Sequence, residues 1–429
     1  MTVAETIFEA IKIRKIDYVF CVPGESFLAT MDSFYDSPQP LLVSARHEEG
    51  AGIMAEAYAK ASSKTGVCMV TRGPGLTHLS IALHTAKQDS TPLVAFVGQV
   101  PTNILHRESF QELNVVEFTR PVTKWAVELS RADRVAEIVD KAFHIANSGR
   151  PGPVVISLPE DIDRGSTVKH SVWRSSTVGI PSPSTEGVAK AVSMIEDAER
   201  PCVIAGEGIL RVDATDMLIR FAECLGVPVY TAWRRFDAFP NKHQLYMGGL
   251  NLSSISNDLS EPLKNADLII AIGTRLDEFT TLNYSLPSSK QKLLHIDQYP
   301  EETGGSWIGA DISLVVDVGE ALDKLEEVLK HSKRAKPSKA RQKQVAEWSK
   351  YFLRRTTPRS NKDLPMNGAV NLEGIYHDIL KIITDDTSIT CDAGDFGSWL
   401  IRYYKWNQPH TFFGPTTGAM GYALPAAIA

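Results

Sequence analysis

No apolar run in these 429 residues approaches the roughly 20 needed to cross a bilayer, and the opening MTVAETIFEAIKIRKID has no signal-peptide core. Export is therefore not expected. Cysteine is scarce. Cys21, Cys68, Cys202, Cys224 and Cys391 are scattered, odd in number and without a C-x-x-C pair that would suggest zinc or a redox motif. Four of them lie in apolar contexts, as buried reduced thiols of a cytoplasmic protein do. Positive charge is not in excess either: a formal net charge of -6 gives no footprint for nucleic acid, and the basic tract around His331–Lys343 reads as a solvated helix or linker. A Walker A lysine pattern is absent, and Gly206-Glu-Gly208 falls short of a dinucleotide fingerprint because Arg211 stands where the third glycine belongs.

What is present is a regular alternation of short apolar runs with helix-like segments, the signature of parallel α/β architecture in a chain too long for one core. Tyr18–Val22, Val67–Thr71, Leu93–Val97 and Val154–Leu158 read as buried strands, with helices between them at Ala4–Arg14, Glu49–Ser62, Thr77–Asp89 and Ala132–Asn147. After a linker-like stretch, His170–Ser184, a second set of strands is expected at Pro201–Ala205, Val227–Thr231, Leu268–Ile272 and Lys292–Ile296. A third unit opens with a helix at Leu372–Ile383, a strand at Ser388–Asp392 and a helix around Phe396–Tyr404, too short to close a domain of its own. The fold class expected is α/β with three consecutive doubly wound parallel-sheet domains, 1–170, 185–330 and 365–429, the third incomplete.

Several motifs sit where strands turn into helices. Ser44-Ala-Arg-His-Glu-Glu-Gly-Ala-Gly places Glu48 at a helix start, where a carboxylate suits the macrodipole; Gly50, Ala51 and Gly52 leave room for something flat to pack closely. Thr71-Arg-Gly-Pro-Gly-Leu-Thr reads either as a tight turn or as an anion- or carbonyl-binding turn of backbone donors at a helix N-terminus. Val22-Pro-Gly-Glu-Ser follows the first strand in the same way, so the three loops should cluster at one sheet edge. Gln111, in the longer Phe110-Gln-Glu loop, could hydrogen-bond a ligand or lie on the surface. Trp233-Arg-Arg-Phe-Asp-Ala-Phe-Pro suits an interdomain contact or a substrate wall. Asp392-Ala-Gly-Asp-Phe-Gly-Ser and Gly414-Pro-Thr-Thr-Gly-Ala-Met-Gly-Tyr-Ala-Leu-Pro-Ala-Ala are glycine-rich turns able to cradle phosphate with backbone N–H groups.

Together these motifs resemble the superfamily of thiamine diphosphate enzymes that includes acetolactate synthase and benzoylformate decarboxylase. The resemblance runs along the whole chain, with RHEEGA matching the family's R-H-E-x-G-A. It implies a pyrimidine-binding domain, a central domain and the start of a diphosphate-binding domain. Glu48 matches the glutamate that hydrogen-bonds the aminopyrimidine and favours its imino tautomer, which removes the thiazolium proton. Gly418 matches the carbonyl that accepts from the exocyclic amine, and Met420 the residue holding the cofactor in a V shape. Asp395, Phe396 and Gly397 align with the loop meeting the diphosphate. Gly24, Gly73 and Gln111, with Ser26 beside Gly24, match positions on the cofactor and substrate side.

The implied activity is decarboxylation of a 2-oxo acid with possible carboligation, as in acetolactate synthase; the alternatives are simple decarboxylation or a non-catalytic paralogue. A homodimer or homotetramer is implied, with no nucleic-acid or membrane partner. The family's magnesium motif, Gly-Asp-Gly followed by paired Asn, is expected beyond Ala429. On that reading the present chain binds cofactor weakly and is inactive. Flavin is not expected, given the interrupted glycine pattern. Ser157-Leu-Pro-Glu160-Asp departs from the Val-Pro-Lys-Asp usual in acetolactate synthases.

Overall fold

Two six-stranded parallel sheets make up the body of the computed structural model, which describes residues 1–167, 179–252, 258–303, 307–363 and 370–429. Most of the expected linker at His170–Ser184 lies outside the described residues, as do residues 365–369 of the third expected domain. Two compact units result: Met1–Val178 with Thr390–Asp392 and Phe413–Ala429, and Gly179–Ile389 with Ala393–Phe412. A third sheet of two strands, Ile389–Thr390 and Phe412–Phe413, is what an incomplete third domain would contribute.

In the first unit, β1 (Tyr18–Cys21), β2 (Leu41–Ser44), β3 (Gly66–Thr71), β4 (Leu93–Gln99), β5 (Trp125–Glu128) and β6 (Pro153–Pro159) are arranged in the order β2-β1-β3-β4-β6-β5. The central strands are apolar throughout because both faces are covered; Val67–Val70 and Leu93–Val97 are inaccessible to solvent. Helix Val3–Ile13 packs on Val135–Asn147, and helix Glu48–Ser62 on Arg72–Gln88. Gly52 serves that second pairing: a Cβ there would lie 2.4 Å from Leu79 Cδ1 and 2.5 Å from the Ala82 methyl. The open space expected beside Gly50–Gly52 therefore exists only at Gly50, where a Cβ would meet nothing within 4 Å.

A buried charge cluster ties the glycine-rich segment to helix Glu48–Ser62. Lys60 Nζ lies 2.7 Å from both Glu56 and Asp89, and the Tyr422 hydroxyl donates to Glu56 at 2.7 Å. Burial raises the Glu56 carboxyl above its ordinary range, against the pull of Lys60. The Asp89 carboxylate also accepts from Thr416 N–H at 3.1 Å. Burial likewise raises the Cys21 and Cys68 thiols, to about 11 and about 12, leaving them protonated and inert.

The second unit contains β7 (Pro201–Ala205), β8 (Val229–Thr231), β9 (Tyr246–Gly249), β10 (Leu268–Ile272), β11 (Lys292–Asp297) and β12 (Ile312–Val315), in the order β12-β11-β10-β7-β8-β9. Its glycine pair works as packing. A Cβ on Gly206 would lie 2.4 Å from the Gly273 carbonyl oxygen, and one on Gly208 2.6 Å from Gly273 Cα. The Trp233 loop packs within this unit: Trp233 stacks on Phe279 at 4.4 Å, Phe236 meets Trp406 and Phe412, and the buried Asp237 accepts from the N–H groups of Thr411 and Phe412. The loop thus fastens residues that the sequence assigned to the third domain.

Candidate active site

Ligands of open parallel sheets bind at the carboxyl ends of strands where the strand order reverses. In the first unit that point lies at β1, which pairs with β2 on one side and β3 on the other. The loops after these three strands carry Gly24, Glu48 and Gly73, and they do cluster. A Cβ on Gly24 would fall 1.5 Å from Thr71 Oγ1, so only glycine lets the loop after β1 lie against the end of β3. Ser26 is fully buried, with its hydroxyl 3.4 Å from the same oxygen.

Of the two readings of the segment after β3, the helix N-terminus holds: it forms the first turn of helix Arg72–Gln88. Its glycines have tasks that the turn reading missed. Gly73 N–H donates to the Gln111 carbonyl at 2.9 Å, and a Cβ on Gly73 would sit 3.0 Å from that oxygen. Gln111 is therefore brought to the site by its main chain. Its loop is held in an unusual shape: His106, Glu108 and Gln111 all have left-handed φ, at 65°, 55° and 64°. Such residues persist where surrounding structure over-determines them, and they concentrate at functional sites. The Glu112 carboxylate fixes this loop by accepting from the N–H groups of His106 (2.6 Å) and Ser109 (2.9 Å). Burial pushes its pKa up, but these bonds more than offset that and hold it below the usual range.

Glu48 is the first residue of helix Glu48–Ser62, facing the positive end of the macrodipole. His47 caps the helix, its Nδ1 accepting from Glu49 N–H at 3.2 Å. The Glu48 side chain is 16% exposed, and Oε2 lies 2.9 Å from His78 Nδ1. His78 Nδ1 can donate to this oxygen in the tautomer that carries its proton there. The His47 and His78 rings stack at 4.5 Å. Glu48 Oε1 lies beside Gly75, where a Cβ would be 3.6 Å away, and makes no hydrogen bond among the described residues.

The segment Gly414–Tyr422 lies against the same helix. A Cβ on Gly421 would approach Glu49 Oε1 to 3.4 Å. Asp392 shapes this turn, accepting from Gly421 N–H at 3.1 Å and Ala423 N–H at 2.5 Å. Gly418 has φ of 75°, which favours glycine, and Met420 is 76% exposed. Asp395, Phe396 and Gly397 belong to the second unit, where they begin the helix Phe396–Tyr403; Phe396 is exposed and Gly397 buried.

This donor set suits a flat nitrogen heterocycle: one carboxylate oxygen is engaged by an imidazole, the other is open, and a left-handed glycine turn lies beside the same helix start. His47, Glu48 and His78 bring their ligating atoms within 4.8 Å of one another. Two imidazoles and a carboxylate are not the oxygen ligands magnesium takes.

Comparison with known proteins decides the family. Residues 1–118 match the N-terminal TPP binding domain of thiamine pyrophosphate enzymes, and residues 188–325 match their central domain. The acetolactate synthase large subunit of Corynebacterium glutamicum is 31% identical over 437 residues, covering 100% of this chain and 68% of that protein. The chain belongs to the thiamine pyrophosphate enzyme family. The acetolactate synthase of Mycobacterium bovis is also 31% identical, over 100% of this chain and 69% of that protein. Benzoylformate decarboxylase from Polynucleobacter necessarius shares the fold, with a TM-score of 0.83 at 22% identity over 100% of this chain and 76% of that one. A candidate thiamin diphosphate-dependent enzyme from Mycobacterium smegmatis gives 0.82 at 23%, over 100% and 79%.

Two side chains of the site escaped the sequence reading. His78 is one; its only signal is its place in the helix after the TRGPG turn. Arg72 is the other. It stands in the same run, and its Nη2 lies 3.1 Å from Glu160, the residue that departs from the family pattern.

Proposed function

We propose that this chain catalyses thiamine diphosphate-dependent decarboxylation of a 2-oxo acid, with carboligation of the acetolactate synthase type. Support comes from the acetolactate synthases among its relatives and from one observation above the rest: Glu48 at the end of β2, held by His78 with its second oxygen open. When bound, the cofactor supplies a nucleophilic carbon and an electron sink for the loss of carbon dioxide.

The residues of this chain would position it. Glu48 Oε1 would hold a proton against an aminopyrimidine nitrogen, and His78 fixes the carboxylate in place through Oε2. The Gly418 carbonyl would accept from the exocyclic amine, with Met420 beneath the rings. Gly24, Ser26, Gly73 and Gln111 would line the reacting side, and Asp395, Phe396 and Gly397 would meet the diphosphate of a cofactor whose pyrimidine is held by another copy of the chain. Magnesium would accompany the diphosphate. A homodimer or homotetramer in the cytoplasm fits this reading. No helix among the described residues is long and apolar enough to cross a membrane.

The test is turnover of pyruvate with thiamine diphosphate and magnesium, with acetolactate and acetaldehyde measured separately. Acetolactate as the main product supports carboligation, and acetaldehyde alone supports the simple decarboxylase. Glu48→Gln is expected to abolish both; undiminished activity in that variant would remove Glu48 from its role.

A further inference from the structure

Arg72 is placed at the site in a costly way. It begins helix Arg72–Gln88 directly before Gly73, with φ of 48°, a left-handed conformation that residues with a side chain seldom adopt. Its side chain is 9% exposed. Nη2 lies 3.1 Å from Glu160 Oε2 and Nη1 lies 3.4 Å from Glu25 Oε1, while the buried Nε makes no hydrogen bond among the described residues. The two acceptors differ. Glu160 follows β6 and is also paired with Arg164 at 2.6 Å, so its charge is balanced and its position fixed. Glu25 is 66% exposed and reaches Arg72 only at the longer distance. Displacing Glu25 would leave two arginines against one carboxylate, with an unmade Nε donor at a buried position.

We propose that Arg72 binds a second carboxylate of the substrate, so that the preferred 2-oxo acids are dicarboxylates. This rests on the thiamine diphosphate-dependent decarboxylation of a 2-oxo acid proposed above, and replaces pyruvate as the preferred substrate. A guanidinium offers five donors in a planar fork suited to carboxylate. The carboxylate next to the ketone is the wrong partner: an ion pair to it stabilises the ground state and is lost as that charge departs with carbon dioxide. A distal carboxylate keeps its charge throughout, so Arg72 contributes equally to ground and transition states and its effect falls on KM. Glu25 occupies the position until the substrate arrives.

Malonate, succinate and glutarate have no ketone and cannot turn over, so calorimetric titration of the chain with each reads the site without catalysis. At least one is expected to bind, about tenfold or more weaker to Arg72→Met and several-fold tighter to Glu25→Gln. Glu25 is exposed, so that variant carries little folding risk. In turnover, 2-oxoglutarate is expected to be preferred to pyruvate, with Arg72→Met raising KM for the dicarboxylate at nearly constant kcat and Arg72→Lys restoring part of the loss. Dicarboxylate affinity indifferent to both Arg72→Met and Glu25→Gln would overturn the proposal, as would equal losses for pyruvate and 2-oxoglutarate. Arg72-dependent binding without turnover of any 2-oxo acid would support the anion site and reject the catalytic reading.

Discussion

Two titratable groups on β11 are set against each other, and separating them gives a demanding test of the packing in the second unit. His295 is fully buried with Nε2 2.8 Å from the Thr274 carbonyl, and burial lowers its pKa to about 4. Asp297, two residues on, is raised by burial to about 7, despite accepting from Tyr299 N–H at 3.0 Å. For His295 the folded pKa lies below the unfolded one. Its neutral form is fully favoured above the unfolded value near 6.5, and stability is lost as pH falls from there towards 4; between pH 7 and pH 5 this amounts to about 2 kcal/mol.

For Asp297 the folded pKa lies above the unfolded one. Stability is full below the unfolded value near 3.8 and is lost as pH rises towards 7, so a fall from pH 7 to pH 5 restores about 2 kcal/mol. The two cancel in the parent chain. His295→Gln, which can keep a donor towards Thr274, should leave only the aspartate slope and become more stable at pH 5 than at pH 7, relative to the parent. Asp297→Asn should show the reverse. Groups common to all three chains drop out of the comparison. Urea midpoints followed by tryptophan fluorescence report mainly on this unit, because Trp233, Trp307, Trp348, Trp399 and Trp406 lie in it. Identical pH slopes in the parent and both variants would refute the burial assigned to this strand.

Gly24→Ala forces a Cβ to within 1.5 Å of Thr71 Oγ1, so the loop must move away from β3; a loss of about 1–3 kcal/mol is expected, with impaired substrate affinity. An unchanged melting temperature would show that the loop is not seated there. Tyr422→Phe removes a hydroxyl that donates to the buried Glu56 at 2.7 Å and should cost about 1.5–3 kcal/mol, read from the unfolding midpoint; no shift would mean the segment is not anchored by this bond. His78→Ala should leave Glu48 unheld. A fall in kcat without loss of folded stability is expected, and a pH–rate profile unchanged from the parent would count against it.

Central strands were readable because burial on both faces demands an unbroken apolar run. Tyr18–Cys21, Gly66–Thr71, Leu93–Gln99, Pro201–Ala205 and Leu268–Ile272 all carry one. The strands that gave no signal, Leu41–Ser44, Trp125–Glu128, Tyr246–Gly249 and Ile312–Val315, form the four outer edges of the two sheets. There the covering is partial, as in Leu41–Ser44 and Trp125–Glu128, or glycines replace branched side chains, as in Tyr246–Gly249. Helix Lys339–Thr356 begins within the basic tract read as a solvated helix or linker; it buries little besides Val345, Phe352 and Thr356, so its extent carries no apolar pattern.

The site divides in the same way. Gly24 and Gly73 were legible because each follows a strand that the sequence makes obvious, and Glu48 because its RHEEGA run opens a helix; loops after neighbouring strands must converge. The partners of those residues were decided only by the fold. His78 meets Glu48 across 30 positions and Arg72 meets Glu160 across 88, since adjacent helices and strands bring together side chains that no local pattern links. Residue type and spacing fix which groups stand at a strand end; which charge faces which depends on strand order, and strand order is a property of the folded sheet.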